Sequence, residues 1–312
     1  MINVAVIGTG IIGQEHLKAI KNSTELCLVA VCDKNGERAR AYGEEYGVPY
    51  FTDYKEIPSK TGAEAVIINL PHGLHLESTL YFLDAGLHVF LEKPMANSLS
   101  ECKKMIEAEK KSGKCLAIGH IQRFFCANRF IKEYIASGKI GKLFAINELR
   151  SINYFSHERP SWFLDKKMAG GGIVMNYGAH AIDKFFYITG EKILDVYSSC
   201  GNHLAGYHVE GHSQFFLKLS GEISATVTFS GYSSVGYETT YIGTKGALKL
   251  SGGKVSLCEN GEWREVFGDK DSDYILRELD EFAKLLQGEE NEMPDAEYGM
   301  EIIAAIERIY AN

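Results

Sequence analysis

Short apolar runs recur through the first 120 residues, at 4–7, 26–32, 49–51, 65–70, 87–92 and 115–118. Between them, residues 13–20, 36–46, 76–85 and 98–112 carry apolar side chains at helical spacing. Gly86 and Gly113 follow two of these stretches, where a helix would stop. Strand and helix units in alternation predict an α/β fold with a doubly wound parallel sheet, helices on both faces. Beyond His120 the pattern changes. Residues 124–137 read as an amphipathic helix and 143–153 as a strand. Six strand-like runs follow, at 196–200, 212–219, 223–229, 238–242, 247–250 and 255–258. Turn pairs such as Ser220-Gly221, Gly252-Gly253 and Asn260-Gly261 separate several of them, with no helix-length insertions. This predicts a second α/β domain with an open, mainly antiparallel sheet. Helices at 273–286 and 296–310 close the chain, and the domain boundary falls near His120, giving 1–120 and 121–312.

Composition adds limits. The 312 residues suffice for two domains, and a net charge of -8 argues against a nucleic-acid surface. The first residues lack a basic n-region and a cleavage site, so no secretory leader is expected, and no apolar run reaches the length of a membrane span. Seven cysteines, odd in number, scattered and without a Cys-x-x-Cys pair, fit a reduced, cytoplasmic protein.

Candidate chemistry begins after the first strand, at Gly8-Thr9-Gly10-Ile11-Ile12-Gly13. Three glycines alone are unspecific. Their place between a strand and a helix, with Asp33 about 20 residues on, matches a dinucleotide site. Gly8 would allow the turn, Gly10 the approach of a pyrophosphate, and Gly13 close helix packing. The helix N-terminus would favour the negative charge. Asp33 can accept from ribose hydroxyls and repel a 2′-phosphate, which favours NAD over NADP, although Lys34 beside it softens the preference. Glu37, Arg38 and Arg40 read as solvated.

The run 87–92 ends on Glu92-Lys93-Pro94. Proline cannot extend a sheet ladder and restricts its predecessor, so a lysine is held at a strand's carboxyl end, where open α/β sheets bind ligands. The bland alternative is a solvated charge pair. His72 and His75 follow the run 65–70. No nearby ligand set completes a metal site, and His75 could simply cap the next helix. Cys200, His203, His208 and His212 are too scattered over strand and loop to suggest a metal either. The glycines of Gly170-Gly171-Gly172 read as a flexible approach to a helix that presents Asn176, His180 and Asp183 on one face, at i, i+4 and i+7. A satisfied core histidine is the alternative there.

Taken together, Gly8-x-Gly10-x-x-Gly13, Asp33, Pro71 to His75, Glu92-Lys93-Pro94, Gly119-His120 and Gly170 to Asp183 resemble the Gfo/Idh/MocA oxidoreductases over nearly the whole chain. The resemblance implies an N-terminal Rossmann domain and a C-terminal domain whose sheet face packs against another subunit in a homodimer or homotetramer. It places the catalytic lysine on Lys93 and the catalytic histidine on His180. The cofactor, NAD, would then meet Gly8, Gly10, Ile11, Ile12, Gly13, Asp33, Lys34, Leu70, Pro71, His72, His75, Glu92, Lys93 and Gln122. Where the family commonly has Asp, this chain has Asn176, which can orient a hydroxyl but cannot take its proton.

The implied reaction is reversible hydride transfer between a sugar, polyol or cyclitol carbinol and the nicotinamide. His180 would act as base, and Lys93 would stabilise the developing alkoxide. Arg123, Tyr154, Arg159, Trp162 and Asn176 are the candidate substrate residues, and Arg159 suits an acidic or polyhydroxylated ligand. Two other readings are an NAD-dependent glycosidase and a non-catalytic, cofactor-sensing regulator.

Overall fold

Four consecutive buried apolar residues, Val4 to Ile7, are satisfied only inside a sheet covered on both faces. They form the last four residues of β1 (Ile2–Ile7). The computed structural model describes residues 1–268 and 273–311. They fall into two units, Met1–Ile121 with Ser272–Glu301, and Gln122–Asp271 with Ile302–Asn312.

In the first unit the chain runs α1 (Ile11–Asn22), β2 (Leu26–Cys32), α2 (Gly36–Tyr46), β3 (Tyr50–Phe51), α3 (Ile57–Lys60), β4 (Ala65–Ile68), α4 (His75–Asp84), β5 (His88–Glu92), α5 (Leu99–Ser112) and β6 (Leu116–Gly119). The strands pair in parallel in the order β3-β2-β1-β4-β5-β6. The order reverses between β1 and β4. In such sheets that switch point, at the carboxyl ends of the strands, holds the ligand. Helix ends obey local chemistry: Ser98 accepts from the Glu101 N–H at the start of α5, and Gly113 ends it in a left-handed conformation.

The second unit runs α6 (Cys126–Ala136), β7 (Leu143–Ser151), α7 (Lys166–Ala169), α8 (Ala179–Thr189) and β8 to β14. These last strands are Ile193–Gly201, His212–Leu219, Ser224–Ser230, Gly236–Gly243, Ala247–Ser251, Lys254–Glu259 and Glu262–Gly268. They form one sheet in the order β14-β13-β12-β11-β7-β10-β9-β8, antiparallel except for the β7–β10 pair. One face buries Ile146, Phe215, Leu217, Val227, Phe229, Tyr241, Leu248 and Leu257. The last strand, β14, escapes the sequence pattern because it is an exposed edge with no apolar alternation. Pairing with β13 alone makes it a strand.

Two closing helices follow, α9 (Tyr274–Gln287) and α10 (Ala296–Tyr310). Ile275, Leu279, Phe282 and Ala283, on one face of α9, join the core of the first unit with Leu17, Ile20 and Phe90. The Phe90 and Phe282 rings meet edge to face at 5.5 Å. Residues 273–301 thus group with the first unit, whereas the sequence alone suggested a boundary near His120 with 121–312 as one domain. Among the described residues no helix is long and apolar enough to cross a membrane.

Candidate functional site

In the first unit, the loop after β1 shows what each glycine is for. Gly8 has φ +90°, and a Cβ there would lie 2.7 Å from the Asn69 carbonyl oxygen. A Cβ on Gly13 would sit 2.1 Å from the Gly8 carbonyl oxygen, so helix and loop can touch only through glycine. A Cβ on Gly10 would meet nothing within 4 Å. The loop therefore leaves open space at Gly10, beside the unpaired N–H groups that begin α1. Next to it Ile11 is 73% and Ile12 36% exposed, apolar surface without a cover.

Asp33, at the end of β2, is buried. Its Oδ2 accepts from the Thr9 N–H (2.9 Å), the Thr9 hydroxyl (3.0 Å) and Arg38 Nε (2.9 Å), and its Oδ1 from the Asn35 N–H (2.9 Å) and an Arg38 amine (2.8 Å). Burial pushes the Asp33 carboxyl up, but Arg38 and these N–H groups outweigh it and hold it below the ordinary range. Arg38 is exposed, as expected, and its guanidinium in addition clasps Asp33 in bidentate fashion. Ribose hydroxyls would have to share a carboxylate already well supplied with donors. Lys34 is exposed.

His75 is the first residue of α4 and wholly buried. Its Nδ1 lies 2.9 Å from the Pro94 carbonyl and its Nε2 2.8 Å from that of Leu70. It therefore braces the loop after β4 against the Glu92-Lys93-Pro94 turn. The helix-capping alternative fails, since the cap position is Leu74. His72, also buried, packs against it with ring centroids 5.7 Å apart. Leu70 and Pro71 are half-buried. Glu92 ends β5; its carboxylate accepts the Lys93 N–H (3.0 Å) and lies 3.5 Å from His16 Nε2. Burial pushes the Glu92 carboxyl up to about 7, against the pull of Lys93, and pushes the His16 imidazole down to about 4. Lys93 is half-buried, and its bond to Pro94 is cis.

In the second unit, α8 is entered through a wide π turn, Val174–Gly178. Its first N–H groups have no Ser or Asp cap. The Glu210 carboxylate accepts from Gly172 and Val174, and the Tyr310 hydroxyl from Met175. That hydroxyl in turn donates to Glu210 at 2.7 Å. A Cβ on Gly171 would fall 2.0 Å from the Tyr310 oxygen, and one on Gly172 2.1 Å from the Glu210 carbonyl oxygen. Close packing, rather than the expected flexibility, is what demands these glycines. A cavity of about 430 Å³ beside them is lined by Lys166, Gly170, Tyr207, His208, Glu210 and Tyr310 among others.

Two of the three residues expected on one face, His180 and Asp183, both meet Gln122. Asp183 is fully buried; it accepts the Gln122 N–H (3.2 Å) and pairs with Arg123 (3.6 Å). Arg123, a substrate candidate from the sequence, also braces α8 through this pair. His180 is half-buried, with Nδ1 3.4 Å from Gln122 Nε2. The Gln122 amide is itself oriented by Asn128, whose Nδ2 donates to both Gln122 oxygens, at 2.8 Å to the carbonyl and 3.1 Å to Oε1. Gln122, a cofactor candidate from the sequence, also orients the His180 ring. Asn176 is buried beside the Tyr154 hydroxyl, and burial pushes that phenol up. Arg159 lies over the Tyr154 ring at 4.2 Å, and Trp162 stacks on Phe163 at 3.7 Å. Behind α8, the buried Lys184 ammonium meets Glu148 (2.5 Å), the Tyr237 hydroxyl (2.6 Å) and the Thr239 hydroxyl (2.7 Å). His203 and His212 stack on each other at 4.5 Å. Among the described residues no three His, Cys, Asp or Glu side chains gather as a metal site would need.

The family described as "Oxidoreductase family, NAD-binding Rossmann fold" matches residues 2–120, and "GFO/IDH/MocA C-terminal domain" matches 128–249. The chain belongs to the GFO/IDH/MocA oxidoreductase family. One relative is D-glucoside 3-dehydrogenase of Escherichia coli (strain K12), 26% identical over 340 residues, 100% of this chain and 95% of that protein. Another is 1-carboxy-3-chloro-3,4-dihydroxycyclohexa-1,5-diene dehydrogenase of Comamonas testosteroni, 28% identical over 232 residues, 74% of this chain but 58% of that protein. Aldose-aldose oxidoreductase of Caulobacter crescentus, complexed with glycerol, shares the fold: TM-score 0.91 at 23% identity, covering 99% of this chain and 96% of that one.

The first unit fits the family's cofactor, NAD. Gly10 leaves room for backbone approach, and the α1 N-terminus faces it. Sequence reasoning missed Asn128 and Glu210. Neither lies in a motif; each acts through a contact distant in sequence.

Proposed function

We propose that this GFO/IDH/MocA protein is an NAD-dependent dehydrogenase or reductase that moves a hydride to or from a ring or chain carbinol of a sugar, polyol or cyclitol. The first unit would hold the dinucleotide and the second the substrate. The names of two relatives, which specify a glucoside and a dihydroxylated carbocycle, support that substrate class. The observation that carries the reading is the open, N–H-rich loop at Gly10 on the same sheet edge as Lys93.

Bound NAD supplies the hydride acceptor. His180 exchanges the hydroxyl proton, in a ring orientation set by Gln122 and Asn128. Lys93 donates to the substrate oxygen and offsets the charge that develops there. Asn176 orients the substrate without taking a proton. Tyr154, Arg159 and Trp162 shape its pocket. We place the protein in the cytoplasm. We also assign its subunit contacts, in a dimer or tetramer, to the outer sheet face, where Tyr197 and Trp263 are exposed.

The test is a reduction screen with NAD and NADP across sugars, cyclitols and sugar acids. NADP belongs in it because Arg38 stands beside Asp33. NADH formation with a ketone product is the expected result. Free sugar released without net NADH would instead indicate a glycosidase. Cofactor binding with no turnover anywhere would leave a regulator.

A further inference from the structure

On the α8 side of the second unit, some of the cationic side chains are paired with carboxylates. Arg123 pairs with Asp183, and Lys184 with Glu148. Arg150 and Arg159 pair with no carboxylate among the described residues. Each guanidinium lies instead against aromatic rings. Arg150 is 4.7 Å from the Tyr177 centroid and 4.1 Å from that of Tyr237. Arg159 is 4.2 Å from Tyr154 and 4.9 Å from Phe163. The Nε of both is buried without a hydrogen bond. A guanidinium flat on a ring keeps the donors along its edge, and those match the two oxygens of a planar carboxylate. The same rings lead to His180: Tyr177 is 6.2 Å from it and 6.3 Å from Tyr154, centroid to centroid.

We propose that Arg159 and Arg150 form a carboxylate subsite, so that the substrate is an acid: a hydroxylated sugar acid or carboxylated cyclitol rather than a neutral sugar. The proposal rests on the hydride-transfer reading for its reaction, but not for its binding. Two half-buried cations, each with a buried and unsatisfied Nε, in the aromatic cluster that reaches His180 favour an anion over neutral ligands, because an unsatisfied buried donor is costly.

The test compares matched pairs on the NAD-loaded protein: D-glucose with D-glucuronate, D-glucitol with D-gluconate, and myo-inositol with quinate, with D-glucose 6-phosphate as the phosphate arm. Binding is read by calorimetry and turnover by NADH formation. At least one acid should bind roughly 10- to 100-fold tighter than its neutral partner, the span of one charge-assisted hydrogen bond. Arg159→Met and Arg150→Met should bring that ratio toward one, and Arg159→Lys should restore part of it. No acid exceeding its partner would overturn the proposal. So would a preference that survives Arg159→Met, or a phosphate ester bound tighter than every carboxylate. An acid preference in binding without NADH would sustain the subsite and count against hydride transfer. NADH formed equally from acid and neutral partners would do the reverse.

Discussion

Replacing Gly10 with alanine separates a glycine kept for a ligand from one kept for the fold. Gly10 has φ -70° and ψ -162°, a conformation open to any L-residue, and its Cβ would meet no atom within 4 Å. Nothing in the folded chain resists the added methyl. Alanine also narrows the unfolded ensemble, so Gly10→Ala should leave stability unchanged or raise it by about 0.4–1 kcal/mol. The same methyl would stand where a pyrophosphate must approach the backbone. Losing one hydrogen bond to a charged group costs about 1.5–3 kcal/mol, or roughly 10- to 100-fold in the NAD dissociation constant. Gly13→Ala should behave oppositely. Its Cβ would collide with the Gly8 carbonyl oxygen at 2.1 Å, and the loop must move or the helix detach. A loss of about 1–3 kcal/mol is expected. Thermal melts and NAD titration by calorimetry read both effects on the same two variants. If Gly10→Ala binds NAD as tightly as the unaltered protein, the loop does not cradle the pyrophosphate and the reasoning fails.

Other outcomes follow from the packing and the charges. Lys184→Met should cost about 3–5 kcal/mol in urea unfolding, because it strands the buried Glu148 carboxylate; Lys184→Met with Glu148→Leu should recover much of that loss. Equal losses in the single and double variants would contradict the pairing. Glu92 has a folded pKa near 7, above the ordinary 4.5, so its contribution to stability is fullest below about 4.5 and is lost as pH rises through about 7. Glu92→Gln should therefore gain on the unaltered protein between those limits, by on the order of 1–3 kcal/mol; parallel melting curves against pH would rule this out. Asn176→Ala should lower kcat/KM by roughly tenfold with little change in melting temperature. A large stability loss without a kinetic effect would make Asn176 a packing residue.

The first unit was legible in the sequence because parallel strands buried on both faces read as plain apolar runs, and because the glycines of the 8–13 loop sit at offsets set by sterics. The strands of the second sheet were legible from alternation, except β14, whose edge position needs none. Side-chain commitments were not legible. Arg38, Arg123 and His75 carry chemistry suited to ligands, yet the fold turns them toward Asp33, Asp183 and two carbonyls. No local pattern states which partner, on a strand end, a helix or a loop, each side chain will meet. Glu210 and Tyr310 cap the entry to α8 from 38 and 135 residues away. Local propensity has no reach over such separations.

The most direct test of the proposed chemistry is a kinetic cycle on Lys93→Ala, His180→Ala and the double variant, using whichever substrate the screen identifies. If both side chains serve one substrate oxygen, each single variant should lose about 10²- to 10⁴-fold in kcat, and the double variant little more than the worse single. Turnover near that of the unaltered enzyme in either single variant would contradict the assignment.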